Sequence, residues 1–129
     1  MRLVVDTNAY SALLGGEGRV RELLESADWL GFPATVIGEL MAGFLAGGRA
    51  ARNIDLLDEF LSTTGVEVLP LRRGEAERYG AIVKSLRDRG TPIPTNDIWI
   101  AASALAADAR LLSRDRHFDA VAGLVRMEF

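Results

Sequence analysis

Arg2-Leu-Val-Val-Asp-Thr-Asn8 is the stretch on which the fold turns. The segment Arg2–Val5, with its apolar, largely β-branched run Leu3-Val4-Val5, predicts a short buried strand, while Asp6-Thr7-Asn8 are residues that favour turns and helix caps. A fully apolar strand feeding straight into a helix is the opening unit of a parallel sheet; strands with one wet face alternate polar and apolar instead.

Working outward, the unit repeats. Val20, Leu23, Leu24 and Ala27 follow the i, i+3, i+4, i+7 spacing of an amphipathic helix, with Arg21, Glu22 and Glu25 on its other face. Trp29–Phe32 is a second strand closed by Pro33, and Thr35 opens a helical stretch through Leu40 and Phe44 that stops at Gly47-Gly48. Ile54, Leu57 and Leu61 mark a helix over Ala50–Leu61, followed by a third strand at Val66–Leu69 that Pro70 ends. Tyr79, Ile82, Val83 and Leu86 predict a helix over Gly74–Arg89 stopped by Gly90. Gly80 inside it costs about 1 kcal/mol relative to alanine, which predicts close packing at that point. Ile98, Ala101, Ala102 and Leu105 lie on one face of a further helix, Leu111 and Leu112 in a fourth strand, and Leu124–Phe129 supplies a fifth. The expected architecture is an α/β three-layer sandwich: a mainly parallel sheet of about five strands covered by helices, in one domain spanning residues 1–129.

Composition narrows the chemistry. The 129 residues are 49% hydrophobic and carry a formal net charge of −3, with no cysteine and one histidine. Disulfides, thiolate metal sites and His-rich zinc sites are therefore excluded, and any metal must sit mainly on oxygen. No stretch approaches the ~18 unbroken apolar residues of a membrane span, and the opening residues lack a signal-peptide pattern, so a soluble cytoplasmic chain is expected. The acidic balance argues against binding duplex DNA by charge alone.

In doubly wound sheets ligands bind outside the carboxyl ends of the strands. Asp6 ends the first strand, Glu39 lies about one turn into the helix after the second, Asp97 stands where a long connection enters a helix, and Asp115 follows the fourth strand. Each has a local explanation, as a helix-cap or first-turn acid for Asp97, a turn residue for Asp6, or a surface ion pair for Asp115 between Arg114 and Arg116. Converging on one mouth, four carboxylates need a hard cation, because like charges raise one another's pKa. Mg2+ takes oxygen ligands and Mn2+ is compatible. Such a cation neutralises a phosphodiester and lowers the pKa of an attacking water. Thr7, Asn8, Asn96 and Ser113 are placed to orient these acids, and Arg114 and Arg116 to bind a phosphate backbone. Asp108 is too far from Asp97 to share a ligand; Asp55, Asp58 and Glu59 read as solvated surface, and His117 as a packing or surface residue.

VVDTN at the start, TVIGEL at Thr35–Leu40, PIPTNDIWIAA at Pro92–Ala102 and LLSRDRHF at Leu111–Phe118 together resemble the PIN-domain ribonucleases, in particular the VapC toxins of type II toxin–antitoxin systems. The resemblance runs from residue 3 to residue 118 and implies a PIN-like sandwich acting as a Mg2+-dependent endoribonuclease. Asp6, Glu39, Asp97 and Asp115 would be its catalytic acids, with Asp6 and Asp97 the principal metal ligands and Glu39 and Asp115 acting directly or through water. It further implies a homodimer and a cognate VapB-type antitoxin. Serine precedes Arg114-Asp115 where a threonine often stands, Asp119 competes with Asp115 for the fourth position, and the number of metal ions is open. Two other readings are a non-catalytic PIN-like binding module and an aspartyl phosphatase of the haloacid dehalogenase type. The phosphatase needs a second aspartate two residues after the first, where this chain has Asn8, and a lysine near the later acids, whereas Lys84 falls on the polar side of a mid-chain helix.

Overall fold

The structure, a computed structural model, describes residues 1–129. The opening strand β1 (Arg2–Val5) forms as expected and occupies the centre of a five-stranded sheet. Its neighbours are β2 (Trp29–Pro33) on one side and β4 (Arg110–Leu112) on the other, with β3 (Val66–Leu69) and β5 (Arg126–Met127) at the edges, giving the order β3-β2-β1-β4-β5. All four pairings are parallel, so all five strand ends point the same way. The central strands are apolar because both their faces are covered; Leu3, Val4, Val5, Leu111 and Leu112 are entirely buried.

The connections are α1 (Thr7–Leu14) and α2 (Gly18–Glu25) between β1 and β2, and α3 (Ala34–Ala46) and α4 (Ala50–Leu61) between β2 and β3. Then α5 (Arg73–Arg89) and α6 (Thr95–Ala106) lead to β4, and a 3-10 turn (Arg116–Ala120) leads on towards β5. Crossovers between parallel strands are right-handed, so α1–α4, stepping from β1 towards β3, cover one face, and α5–α6, stepping back to β4, cover the other. On the first face Tyr10, Phe32 and Phe60 from α1, β2 and α4 pack edge to face with centroids 5.6–5.8 Å apart. Such pairs add about 0.5–1.5 kcal/mol each beyond the area they bury. On the other face, Tyr79 of α5 stacks on Trp99 of α6 at 4.0 Å. Val20, Leu23, Leu24 and Leu57 point into the core, the use that their helical spacing implies.

Two glycines behave differently. A Cβ on Gly31 would lie 2.5 Å from the Trp29 ring and 2.8 Å from Leu69, so β2 can pass beneath these side chains only as glycine. At Gly80 the close packing expected from sequence is absent: the residue is exposed, and a Cβ there would have no neighbour within 4 Å. The helical penalty of this glycine is therefore uncompensated, and Gly80→Ala is expected to raise stability by about 0.5–1 kcal/mol. A shift of the urea midpoint to higher concentration at unchanged slope checks this; a lower midpoint contradicts the open surroundings. Ala27, placed on α2 by its spacing, lies beyond the helix, which ends at Glu25.

Candidate active site

The connection leaving β1 steps one way along the sheet and the chain leaving β4 steps the other, which makes the gap between their carboxyl ends a topological switch point. Asp6 and Ser113 flank it. Asp6 is the N-cap of α1, where its Oδ1 accepts the Thr7 amide at 2.8 Å. Its Oδ2 accepts the Ser113 hydroxyl at 2.6 Å. The Ser113 Oγ in turn accepts from Asn8 Nδ2 at 3.2 Å and from the Asp115 amide at 3.0 Å. With both acceptor positions filled, its single proton has one destination, Asp6. The capping explanation for Asp6 and its place at the mouth are thus two oxygens of one side chain.

The other acids arrive from three further elements. Glu39 on α3 accepts the Thr7 hydroxyl at 2.7 Å and makes a long contact to Asn96 Nδ2 at 3.5 Å. Asp97 lies in the first turn of α6, where the amino-terminal end of the helix favours a negative charge; the N-cap position itself is Pro94. Asp115 caps the 3-10 turn, accepting the His117 amide at 2.9 Å. That cap turns the His117 ring inward, so that Nδ1 stands 3.3 Å from Asp97 Oδ2 and 3.2 Å from Asp115 Oδ1. Asp97, Asp115 and His117 present ligand atoms within 4.8 Å of one another.

Together these groups line a cleft of about 610 Å³, in which Ala12 is the one apolar residue of ten. Asp6, Glu39, Asp97 and Asp115 all face it, with Thr7, Asn8 and Arg114. Ser113 is fully buried behind Asp6, and Asn96 stands outside the lining. Arg116 is also outside it, its guanidinium 3.8 Å from Glu128. Asp119 is occupied by Arg126, at 2.7 and 3.1 Å, so Asp115 is the acid that faces the cleft. Asp108 sits at the opposite edge of the sheet beside Met1 and Arg2, and Lys84 is paired with Asp88 at 2.7 Å on an exposed helix face.

Sequence reasoning undervalued His117 and passed over Glu17, which also lines the cleft. The position of His117 follows from the 3-10 turn that Asp115 caps, and that of Glu17 from the turn between α1 and α2; neither has a periodic signature.

Burial of Asp6 pushes its carboxyl up to about 6, against the pull of the Ser113 hydroxyl and the Thr7 amide, and the charges of Asp97 and Glu39 add to the rise. Asp97 is also raised, by burial first; the His117 contact works against this, while Asp115 and Glu39 reinforce it. The cleft holds more negative charge than its surroundings solvate.

The comparisons with known proteins agree with this layout. Ribonuclease VapC5 of Mycobacterium tuberculosis is 26% identical over 125 residues, covering 97% of this chain and 91% of that protein. Ribonuclease VapC1 of Haemophilus influenzae is 29% identical over 120 residues, covering 89% and 87%. Among solved structures, a chain of VapBC2 from Rickettsia felis, bound to a DNA fragment from their promoter, superposes with a TM-score of 0.89 at 24% identity, covering 100% of this chain and 99% of that one. The PIN domain model matches residues 3–124, so the cleft and all four of its carboxylates fall within the match, and the chain belongs to the PIN-domain family.

Proposed function

We propose that this protein is a metal-dependent endoribonuclease, the VapC-type toxin of a type II toxin–antitoxin pair. The observation that carries the reading is the meeting of Asp6, Glu39, Asp97 and Asp115, from four elements distant in sequence, in one open polar cleft at the switch point of the sheet. Relatives over nearly the whole chain are named ribonucleases, which supports RNA as the substrate.

The donor set fits a hard divalent cation: carboxylate oxygens dominate it, and burial and crowding leave Asp6 and Asp97 short of positive charge. Asp6 and Asp97 would hold the ion, with Glu39 and Asp115 direct or through water and His117 beside them; Mg2+ and Mn2+ both suit these ligands. When bound, such an ion supplies positive charge against the scissile phosphate and lowers the pKa of an attacking water. The chain's own groups prepare the site. Ser113 and the Thr7 amide fix the plane of Asp6, the Thr7 hydroxyl holds Glu39 towards the cleft, and His117 Nδ1 ties Asp97 to Asp115. Arg114 at the rim offers a guanidinium to the RNA backbone. Hydrolysis is by water: its oxygen would form the new bond to phosphorus as the P–O bond to the leaving ribose oxygen breaks, and the proton that the water gives up is balanced by the one that oxygen takes to become a hydroxyl.

The pairing with a VapB-type antitoxin rests on the VapBC assemblies whose folds the chain shares. A homodimer and a cytoplasmic location belong to the same reading. The test is cleavage of labelled single-stranded and structured RNA by the partner-free protein in Mg2+, in chelator, and after Mg2+ is restored. Cleavage lost in chelator and recovered with Mg2+ is expected, together with growth arrest when the chain is expressed without its antitoxin. Cleavage that persists in chelator rejects the site; a stable complex with a small protein and no cleavage of any RNA favours the binding module.

A further inference from the structure

In the same cleft as the four acids, two oppositely charged side chains from distant parts of the chain meet: Arg114 NH2 donates to Glu17 Oε2 at 2.8 Å, with the two side chains 49% and 43% exposed. Both line the cleft that holds Asp6 and Asp97. The arginine is held independently of this contact. Its backbone amide donates to Asn8 Oδ1 at 3.3 Å, and its guanidinium lies 4.4 Å over the Phe129 ring. The glutamate backbone is fixed, its amide donating to the Ala12 carbonyl at 3.0 Å and its carbonyl accepting the Arg21 amide at 3.3 Å, but its side chain makes no other hydrogen bond. It lies in the turn Gly15-Gly16-Glu17-Gly18, and a Cβ at either Gly16 or Gly18 would meet nothing within 4 Å.

Glu17 is also the N-cap residue of α2, yet its side chain makes no bond to the first turn of its own helix. Acids at this position stabilise a helix through its unpaired amides and dipole. The carboxylate therefore forgoes a neighbouring partner for one across the cleft, and that partner remains available to it on release. An ion pair as exposed as this is worth about 0–1 kcal/mol, so its exchange costs little. A phosphodiester presents guanidinium with the same planar pair of anionic oxygens as a carboxylate.

We propose that Glu17 occupies on Arg114 the place of an RNA backbone phosphate. Substrate binding exchanges carboxylate for phosphate, and the released Glu17 turns back to the amino-terminal amides of α2. Arg114 is the phosphate-binding residue, and Glu17 is a built-in competitor that weakens the binding of any strand unable to place a phosphate at this point. The inference rests on the ribonuclease reading and extends it to how the strand is seated.

The test uses the full chain in Mg2+, with a short fluorescein-labelled oligouridylate for cleavage and its phosphorothioate-linked counterpart for equilibrium binding by anisotropy. Glu17→Gln is expected to tighten binding and lower KM about twofold to fivefold with kcat unchanged. Arg114→Ala is expected to weaken binding about tenfold and to reduce the slope of log affinity against log salt by about 0.7, the signature of one lost phosphate contact. In the Arg114→Ala background, Glu17→Gln should have no further effect. Equal tightening in both backgrounds would show Glu17 to be a repelling charge and overturn the exchange. Binding and cleavage by the wild type with no change in Glu17→Gln would overturn the exchange alone, whereas a wild type that binds and cleaves neither this strand nor any of the single-stranded and structured RNAs overturns the ribonuclease reading and the exchange with it.

Discussion

Asp97→Asn is expected to reduce RNA cleavage on the order of a hundredfold or more while the protein stays folded. The amide keeps the size of the carboxylate and an oxygen that can accept from His117 Nδ1, but it removes the negative charge of one of the two carboxylates proposed to hold the ion. Because Asp97 is raised by burial and by Asp115 and Glu39, losing its charge relieves repulsion and should leave the melting temperature equal or higher. Cleavage rates in Mg2+ measured alongside thermal melts check both halves; wild-type cleavage in a folded Asp97→Asn protein would sink the assignment. Asp6→Asn is expected to be equally inactive but harder to interpret. Asp6 accepts the Thr7 amide on one oxygen and the Ser113 hydroxyl on the other. An asparagine has a single acceptor oxygen and must lose one of these bonds, so its inactivity mixes charge with geometry.

The fold was legible from the start because buried parallel strands are apolar runs and their helices carry a periodic stripe; Leu3–Val5 and Trp29–Phe32 needed no tertiary information, while Val66–Leu69, a largely exposed edge strand that contains Glu67, was marked by its β-branched residues and the closing Pro70. The four acids were legible for a related reason. Once the strands are known, the rule that sites lie beyond their carboxyl ends selects Asp6, Glu39, Asp97 and Asp115. What escaped was set by non-periodic geometry. Whether Asp115 or Asp119 faces the cleft is decided by Arg126 arriving from β5, and Arg116 turns towards Glu128 rather than the cleft. The Gly80 expectation failed because a glycine in a helix signals either close packing or a merely tolerated cost, and the sequence does not distinguish them.

In the metal-free protein, acidification from pH 7 to pH 5 is expected to raise stability. The direction follows from Asp6, whose carboxyl is raised from 3.8 to about 6 in the folded state. The folded state binds the proton more tightly than the unfolded state, so the ionised carboxylate destabilises the fold. That cost is absent below about pH 4, grows between the two pKa values, and is complete above about pH 6, where it amounts to about 3 kcal/mol. Moving from pH 7 to pH 5 recovers about 1 kcal/mol of it, or roughly 4 °C in melting temperature for a chain of this length, and Asp97 acts in the same direction. Saturating Mg2+ should raise the melting temperature more at pH 7 than at pH 5, because the cation and the proton compete for the same carboxylates. Melting curves across this range with and without Mg2+ are the measurement. A metal-free protein that loses stability steadily from pH 7 to pH 5, with no Mg2+ effect, would contradict both the crowding of the cleft and the cation binding proposed for it.

The strand order has a consequence for synthesis. A nascent chain that has emerged through β3 can assemble the β3-β2-β1 half of the sheet, which brings Asp6 and Glu39 into place. Asp97 and Asp115 are still missing, and with them Ser113, the group that sets the plane of Asp6. They arrive only with α6, β4 and the turn beyond, the last elements of the site to be made. Whatever chemistry the mouth performs therefore waits until β4 and the turn after it have been made. A polypeptide stalled before α6 lacks two of the four carboxylates of the cleft and the serine that seats a third.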